Sequence, residues 1–100
     1  FKKAVEAGAS SGKTGAVIFF NLGALNYNKK RYRAAADAYE QALKLRPTYA
    51  AAHRELGYTY QELRDLVKAR QHFVEYLKLS PQASDRKGIS DMIKVMPTSG

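Results

Sequence analysis

Residues 7–14 contain part of the pattern of a phosphate-binding loop. They are Ala-Gly-Ala-Ser-Ser-Gly-Lys-Thr, in which backbone amides would surround a phosphate, Lys13 would neutralise its charge and Thr14 would hold magnesium. Such a loop lies between a buried β-strand and a helix of a parallel sheet. Here the preceding residues have helical spacing and no strand pattern follows. We therefore predict that Gly8 to Gly15 form a flexible, solvated linker that binds no nucleotide.

The two histidines are the next candidates for chemistry. His53 and His72 are 19 residues apart, and the chain has no cysteine. They lack the i, i+4 spacing of a metal-binding pair on one helix, and a metal site needs three or four converging ligands. The pattern predicts neither a metal site nor a bound cofactor. We expect His53 to be a half-buried packing residue and His72 to lie at the surface.

Two pairs of carboxylates have the spacing that places side chains on one face of a helix. Asp37 pairs with Glu40, and Glu62 pairs with Asp65. General acid–base catalysis requires a carboxyl group whose pKa is raised by its surroundings, and nothing near these residues in the sequence would do so. We interpret them as solvated side chains or helix caps. No catalytic residues are predicted, and the chain is not expected to be an enzyme.

The chain is strongly basic. It has 17 Lys and Arg residues against 9 Asp and Glu residues, a formal net charge of +8. The densest run, Lys29-Lys30-Arg31-Tyr32-Arg33, falls on a predicted turn, where it either aids solubility or binds an anionic partner. Nucleic acid is the less favoured partner, because no aromatic platform typical of RNA-binding modules is recognisable.

The composition is typical of one compact, all-helical domain. The chain has 100 residues, of which 45% are hydrophobic and 26% charged, and only three are prolines. It contains no apolar run long enough to span a bilayer. The composition does not identify a compartment, although we slightly favour the cytoplasm.

Pairs of similar residues recur at a spacing of 34 residues. These are Leu22 with Leu56, Gly23 with Gly57, Ala35 with Ala69, Tyr39 with Phe73, Leu45 with Leu79, and Pro47 with Pro81. Self-similarity at this period indicates helix pairs that are too small to bury their own apolar faces, so that stacked neighbours share one core. The small residues among these pairs should lie where paired helices approach closely. They are Gly23, Ala35, Gly57 and Ala69.

Prolines, caps and apolar spacing predict the helix boundaries. We expect helices at about 16–29, 32–46, 49–63, 65–79 and 84–96, and residues 1–8 as the end of a helix from a preceding unit. Pro47 ends the second helix, because proline disfavours the helical conformation of the residue before it. Thr48 and Asp65 are the predicted N-caps of the helices that follow them. An apolar stripe on the last helix should cover the end of the stack: Ile89, Met92, Ile93 and Met96.

The repeated residues resemble the tetratricopeptide repeat family over about residues 16–82. They are Phe19, Leu22, Gly23, Tyr27, Tyr32, Ala35, Tyr39, Ala42 and Pro47, then Leu56, Gly57, Tyr60, Leu66, Ala69, Phe73 and Pro81. The resemblance implies an all-α fold whose antiparallel helix pairs wind into a right-handed superhelix with a concave groove. The units would be 16–49 and 50–83, followed by a capping helix at 84–96.

Several positions depart from the family pattern. His53 and Asn26 stand where a large aromatic residue is commoner, and Lys30 and Arg64 replace a turn glycine. Tyr76 replaces a small residue near the end of the second unit. We expect its bulk to alter how the following helix docks.

The resemblance implies that the first helix of each pair lines the groove and that the chain is a non-enzymatic scaffold binding a protein or peptide. The helical period then selects the groove residues Phe20, Asn21, Tyr27, Asn28, Arg54, Glu55, Tyr58, Gln61 and Glu62. Arg54 could grip a carboxylate, and together with the net positive charge this predicts an acidic partner. The clamp by which chaperone-binding members hold a terminal carboxylate is absent, so an Hsp70 or Hsp90 partner is not supported.

Three alternatives to groove binding stay open from the sequence. The basic turn could bind nucleic acid or another anionic partner, or the chain could be a structural spacer of a longer solenoid. The ends of the stack are also candidates for self-association.

Overall fold

A computed structural model describes the backbone of residues 8–98 and the side chains from Thr14 onward. The described residues form five α-helices and no strand. These are α1 (Gly8–Asn28), α2 (Tyr32–Leu45), α3 (Ala50–Glu62), α4 (Leu66–Leu79) and α5 (Arg86–Lys94). The all-α prediction is confirmed, and four of the five helices lie close to their predicted bounds.

The helices stack in sequence order. Helix α1 packs against α2, and α3 packs against α4. Connections of three residues join the partners, which makes each pair antiparallel. Contacts between α2 and α3 join the two pairs, α1 also touches α3, and α5 closes the far end by packing on α4. This arrangement leaves α1 and α3 as neighbours on one side of the stack.

The predicted flexible linker is wrong, because α1 begins at Gly8 and includes that whole segment. Glycine costs about 1 kcal/mol relative to alanine in a helix interior, but packing overrides this preference. Ala16 is fully buried, and a Cβ atom added to Gly15 would lie 2.9 Å from Cδ1 of Leu45. The amides after the first turn bond within the helix, so no open loop surrounds a phosphate. The helix predicted for residues 1–8 lies almost wholly outside the described residues.

Close helix approach at the small repeated residues is confirmed. Ala35 and Ala69 are fully buried. A Cβ atom added to Gly23 would lie 2.7 Å from the ring of Tyr39. The same addition at Gly57 would lie 2.5 Å from the ring of Phe73, the residue equivalent to Tyr39. Each repeat therefore places a glycine of its first helix directly against an aromatic ring of its second.

The helix caps agree with the sequence in part. The Asp65 side chain caps α4 by accepting a hydrogen bond of 3.2 Å from the backbone amide of Lys68. Thr48 does not cap α3, because that helix begins at Ala50 with Tyr49 in the N-cap position. The predicted apolar stripe packs inward: Ile89 and Ile93 on α5 and Met96 beyond its end are buried, and Met92 is half-buried.

One row of apolar side chains on α1 is uncovered. Ile18, Leu22 and Leu25 are 59%, 44% and 51% exposed. The residues 34 positions later on α3 are Ala52, Leu56 and Thr59, and all three are fully buried. Helix α3 packs against both α2 and α4, whereas no helix of the described chain covers the row on α1. Equivalence in sequence therefore does not mean equal burial.

In the described backbone, two residues other than glycine have a positive φ: Lys30 (φ 63°) and Arg64 (φ 66°). They lie in the turns after α1 and α3. Both stand where the family pattern that the sequence resembles has a turn glycine. A side chain in this left-handed conformation costs roughly 1–2 kcal/mol, a strain that glycine does not have.

We therefore expect Lys30→Gly to raise the free energy of unfolding by about 0.5–1 kcal/mol, after allowance for the greater freedom of glycine in the unfolded chain. Chemical denaturation would measure the change. Lys29→Gly is the matched control, because Lys29 is exposed on the same turn without a positive φ. Equal effects of the two substitutions would contradict the explanation by strain.

Candidate functional site

Two of the aromatic residues predicted to line the groove lie on the face that α1 and α3 share. Tyr27 on α1 and Tyr58 on α3 are both half-buried. Burial raises the pKa of the Tyr27 phenol, and the charges of Glu62 and Glu55 raise it further. Burial also raises the pKa of Tyr58, which is close to the charges of Asp85 and Arg54. This face is the candidate site, and we call it the groove.

The Arg54 side chain is not free in the groove. Its Nε donates to Oε2 of Glu55 at 3.0 Å, and its Nη2 lies 3.0 Å from the same oxygen. Its Nη1 lies 3.7 Å from Oδ2 of Asp85, and the guanidinium carbon is 5.7 Å from the ring centre of Tyr76. Two carboxylates of the chain itself already pair with this cation. Arg54 is therefore not available to grip an acidic partner in the way the sequence suggested.

Asp85 lies beside this face and is absent from the set of residues predicted from the sequence. It precedes α5, and its Oδ1 accepts a hydrogen bond of 2.6 Å from the buried Tyr76 hydroxyl. The bulky Tyr76 thus fixes the start of the next helix. Asp85 stands 34 residues after Ala51, which lies three residues before the predicted groove residue Arg54 and thus on the same face of α3. Extending the repeat period by one more unit would have found it.

Phe20 lies at the edge of the groove within an aromatic cluster. Its ring centre is 5.4 Å from that of Tyr39 and 5.1 Å from that of Tyr49. The Arg46 guanidinium stacks over Tyr49 at 5.0 Å. Aromatic pairs at such distances stabilise packing, so Phe20 joins α1 to the start of α3.

The remaining predicted residues are spread along the two helices. Asn21, Asn28 and Glu62 are exposed, and Gln61 is half-buried. Tyr58 also packs edge-on against the core residue Phe73, with ring centres 5.1 Å apart. The groove therefore combines half-buried aromatic surface with accessible amide and carboxylate groups.

The basic run lies at the turn between α1 and α2, as predicted. Lys29, Lys30, Arg31 and Arg33 are all exposed. Tyr32, in the middle of the run, packs edge-on against Tyr27 with ring centres 5.3 Å apart. The run thus begins where the groove face of α1 ends.

The two histidines form a pair that the sequence did not predict. Nδ1 of His53 lies 3.0 Å from Nδ1 of His72, while Nε2 of His53 lies 3.1 Å from the carbonyl oxygen of Pro47. A carbonyl only accepts, so His53 donates from Nε2 and accepts at Nδ1 from His72. Burial lowers the pKa of His53, which favours this neutral form. The prediction that His72 is a surface residue is wrong, because its side chain is only 16% exposed.

Glu40 extends this pair into a partly buried polar network. Its Oε2 lies 3.6 Å from Nε2 of His72 and accepts a hydrogen bond of 2.7 Å from the Tyr60 hydroxyl. The contact with His72 lowers the pKa of Glu40, and the hydrogen bond from Tyr60 lowers it further. Glu40 is therefore a structural acceptor and not simply a solvated carboxylate. Across residues 8–98, no group of three His, Asp or Glu side chains is placed to hold a metal ion.

Comparison with known families matches this architecture. A family model described as tetratricopeptide repeat matches residues 16–49, and a second model with the same description matches residues 38–71. Together the two matches cover more than half of the chain. The fold is a stack of paired helices with one shared core, and the chain belongs to the tetratricopeptide repeat family. No curated protein sequence matches it.

Tetratricopeptide repeats are generally protein–protein interaction modules and typically non-enzymatic scaffolds. Among the described helices, none is long and apolar enough to cross a membrane.

Proposed function

We propose that this chain is a non-enzymatic scaffold that binds a protein segment in the groove on α1 and α3. The observation that carries the proposal is the placement of Tyr27 and Tyr58 on neighbouring helices, half-buried and flanked by accessible polar groups. Rigid aromatic side chains with one solvent-accessible edge tend to dominate binding energy at protein interfaces. We retain 16–49, 50–83 and 84–96 as the proposed unit boundaries.

The basic turn supports a second candidate function, the binding of an anionic partner. Its cations are exposed and adjacent in sequence, and contacts of lysine and arginine with phosphates would give binding a steep dependence on salt. Exposed charges of this kind mainly tune association rate, so we rank this candidate below the groove.

Titration of a partner recovered with the full chain as bait would test the proposal. Tyr27→Ala and Tyr58→Ala should each weaken binding by about 1–3 kcal/mol. Circular dichroism and thermal melting should accompany both variants, because Tyr58 also contacts Phe73.

A triple variant in which Lys29, Lys30 and Arg31 are all replaced by alanine is the matched comparison. We expect this triple variant to bind with nearly unchanged affinity near physiological ionic strength, since these cations lie outside the groove and screening reduces surface electrostatics. Loss of binding in the triple variant, with normal binding by both tyrosine variants, would instead favour the basic turn as the site.

A further inference from the structure

The groove has the opposite charge to the rest of the chain. From Thr14 to Asn28, α1 carries no charged side chain, and α3 carries Arg54 against Glu55 and Glu62. The segment before α5 adds Asp85, whose Oδ2 lies 3.7 Å from Arg54. This face therefore carries three carboxylates and one cation, which is already paired with Glu55 and Asp85, within a chain whose net charge is +8.

These carboxylates remain accessible to a partner. Glu62 is exposed, and the side chains of Glu55 and Asp85 are 25% and 37% exposed. Beyond the effect of burial, Glu62 and Glu55 raise the pKa of the Tyr27 phenol, and Asp85 and Glu55 raise that of Tyr58 against the opposing charge of Arg54. Negative charge beside half-buried aromatic rings suits a long cationic side chain, whose stem covers a ring while its charged end reaches a carboxylate.

We propose that the groove takes a protein segment carrying lysine or arginine beside an apolar residue, with the positive charge placed against Glu55, Glu62 and Asp85. This inference rests on the proposed function and reverses the acidic partner expected from the sequence. The net charge of the whole chain does not oppose it at short range, because charges are screened beyond about 8 Å at physiological ionic strength.

Two sets of short synthetic peptides would test the proposal. They should have equal length and equal aromatic and apolar content, with Lys and Arg at the charged positions of one set and Asp and Glu in the other. Fluorescence anisotropy gives the affinities, and amide chemical shifts of α1 and α3 locate the contact. We expect the basic set to bind and to shift resonances of both helices.

Charge-reversal variants sharpen the test. Glu62→Lys should weaken binding of the basic peptides roughly tenfold, because it removes one attraction and adds one repulsion. Asp37→Lys is the matched control, since Asp37 is exposed on α2 and its replacement changes the net charge equally. The control should bind as the parent chain does.

The outcomes separate this inference from the proposed function. Preferential binding of the acidic set, with shifts in the groove, would overturn the inference and leave groove binding intact. Equal losses in Glu62→Lys and Asp37→Lys would also overturn it, because net charge alone would then explain the effect. If neither set of peptides shifts any resonance of the groove, both this inference and the proposed groove binding are overturned.

Discussion

Replacing Leu56 with alanine is expected to lower the free energy of unfolding by about 2–5 kcal/mol, whereas Leu22→Ala should lower it by less than about 1 kcal/mol. The two leucines occupy the same position of consecutive repeats. Leu56 is fully buried and would leave a cavity, while Leu22 is 44% exposed and would leave none. Denaturant titration of the two variants beside the parent chain measures both changes.

The difference matters because small domains have only about 0.05–0.15 kcal/mol of stability per residue. Leu56→Ala would therefore remove a large share of the total, and its helical content must be checked before the titration. A similar cost at both positions would mean that the apolar row of α1 is covered in solution. Repeating the titration at several protein concentrations would then reveal association, since stability gained from association depends on concentration.

The 34-residue period predicted most of the fold, because the residues that repeat are those on which packing depends. Gly57 and Phe73 illustrate this: one permits close approach of a helix pair and the other fills the space. The period could not predict that Leu22 and Leu56 differ in burial. Burial depends on which neighbour is present, and the period describes only one unit at a time.

The groove could be predicted as a surface but not as a set of contacts. Helical spacing suffices to predict that Tyr27 and Tyr58 share a face, since each position follows from its own helix alone. The pairing of Arg54 with Asp85 depends on how α5 begins, which Tyr76 fixes from another helix. Contacts between distant segments require the crossing geometry of the helices as well as their periods.

The same limit explains why the sequence predicted neither the contact between the two histidines nor the start of α1. His53 and His72 meet across two helices, so their separation of 19 residues carried no signal of contact. In the segment from Gly8 to Gly15, local preferences predicted a linker, but Gly15 lies against Leu45 and the helix extends through it. Tertiary packing overrides weak local preferences of this kind.

Gly57→Ala is expected to destabilise the chain, although alanine is the better helix former. The added methyl carbon would lie 2.5 Å from Cε1 of Phe73, a distance that ordinary contacts never reach. Phe73 is fully buried within the core, so moving its ring would displace other core residues. Overpacking of this kind typically costs about 1–3 kcal/mol. Thermal melting should therefore show a lower midpoint, by roughly 4–8 °C for each kcal/mol lost in a domain of this size.

Gly88→Ala is the matched control and should have the opposite sign. Gly88 lies within α5, and a Cβ atom added there meets nothing within 4 Å. The substitution brings only the helix preference of alanine, a gain of about 0.5–1 kcal/mol. A higher melting midpoint for both variants would mean that the Phe73 ring moves aside at little cost. In that case close approach would not be the reason for glycine at position 57, and the explanation of the repeated glycines would fail.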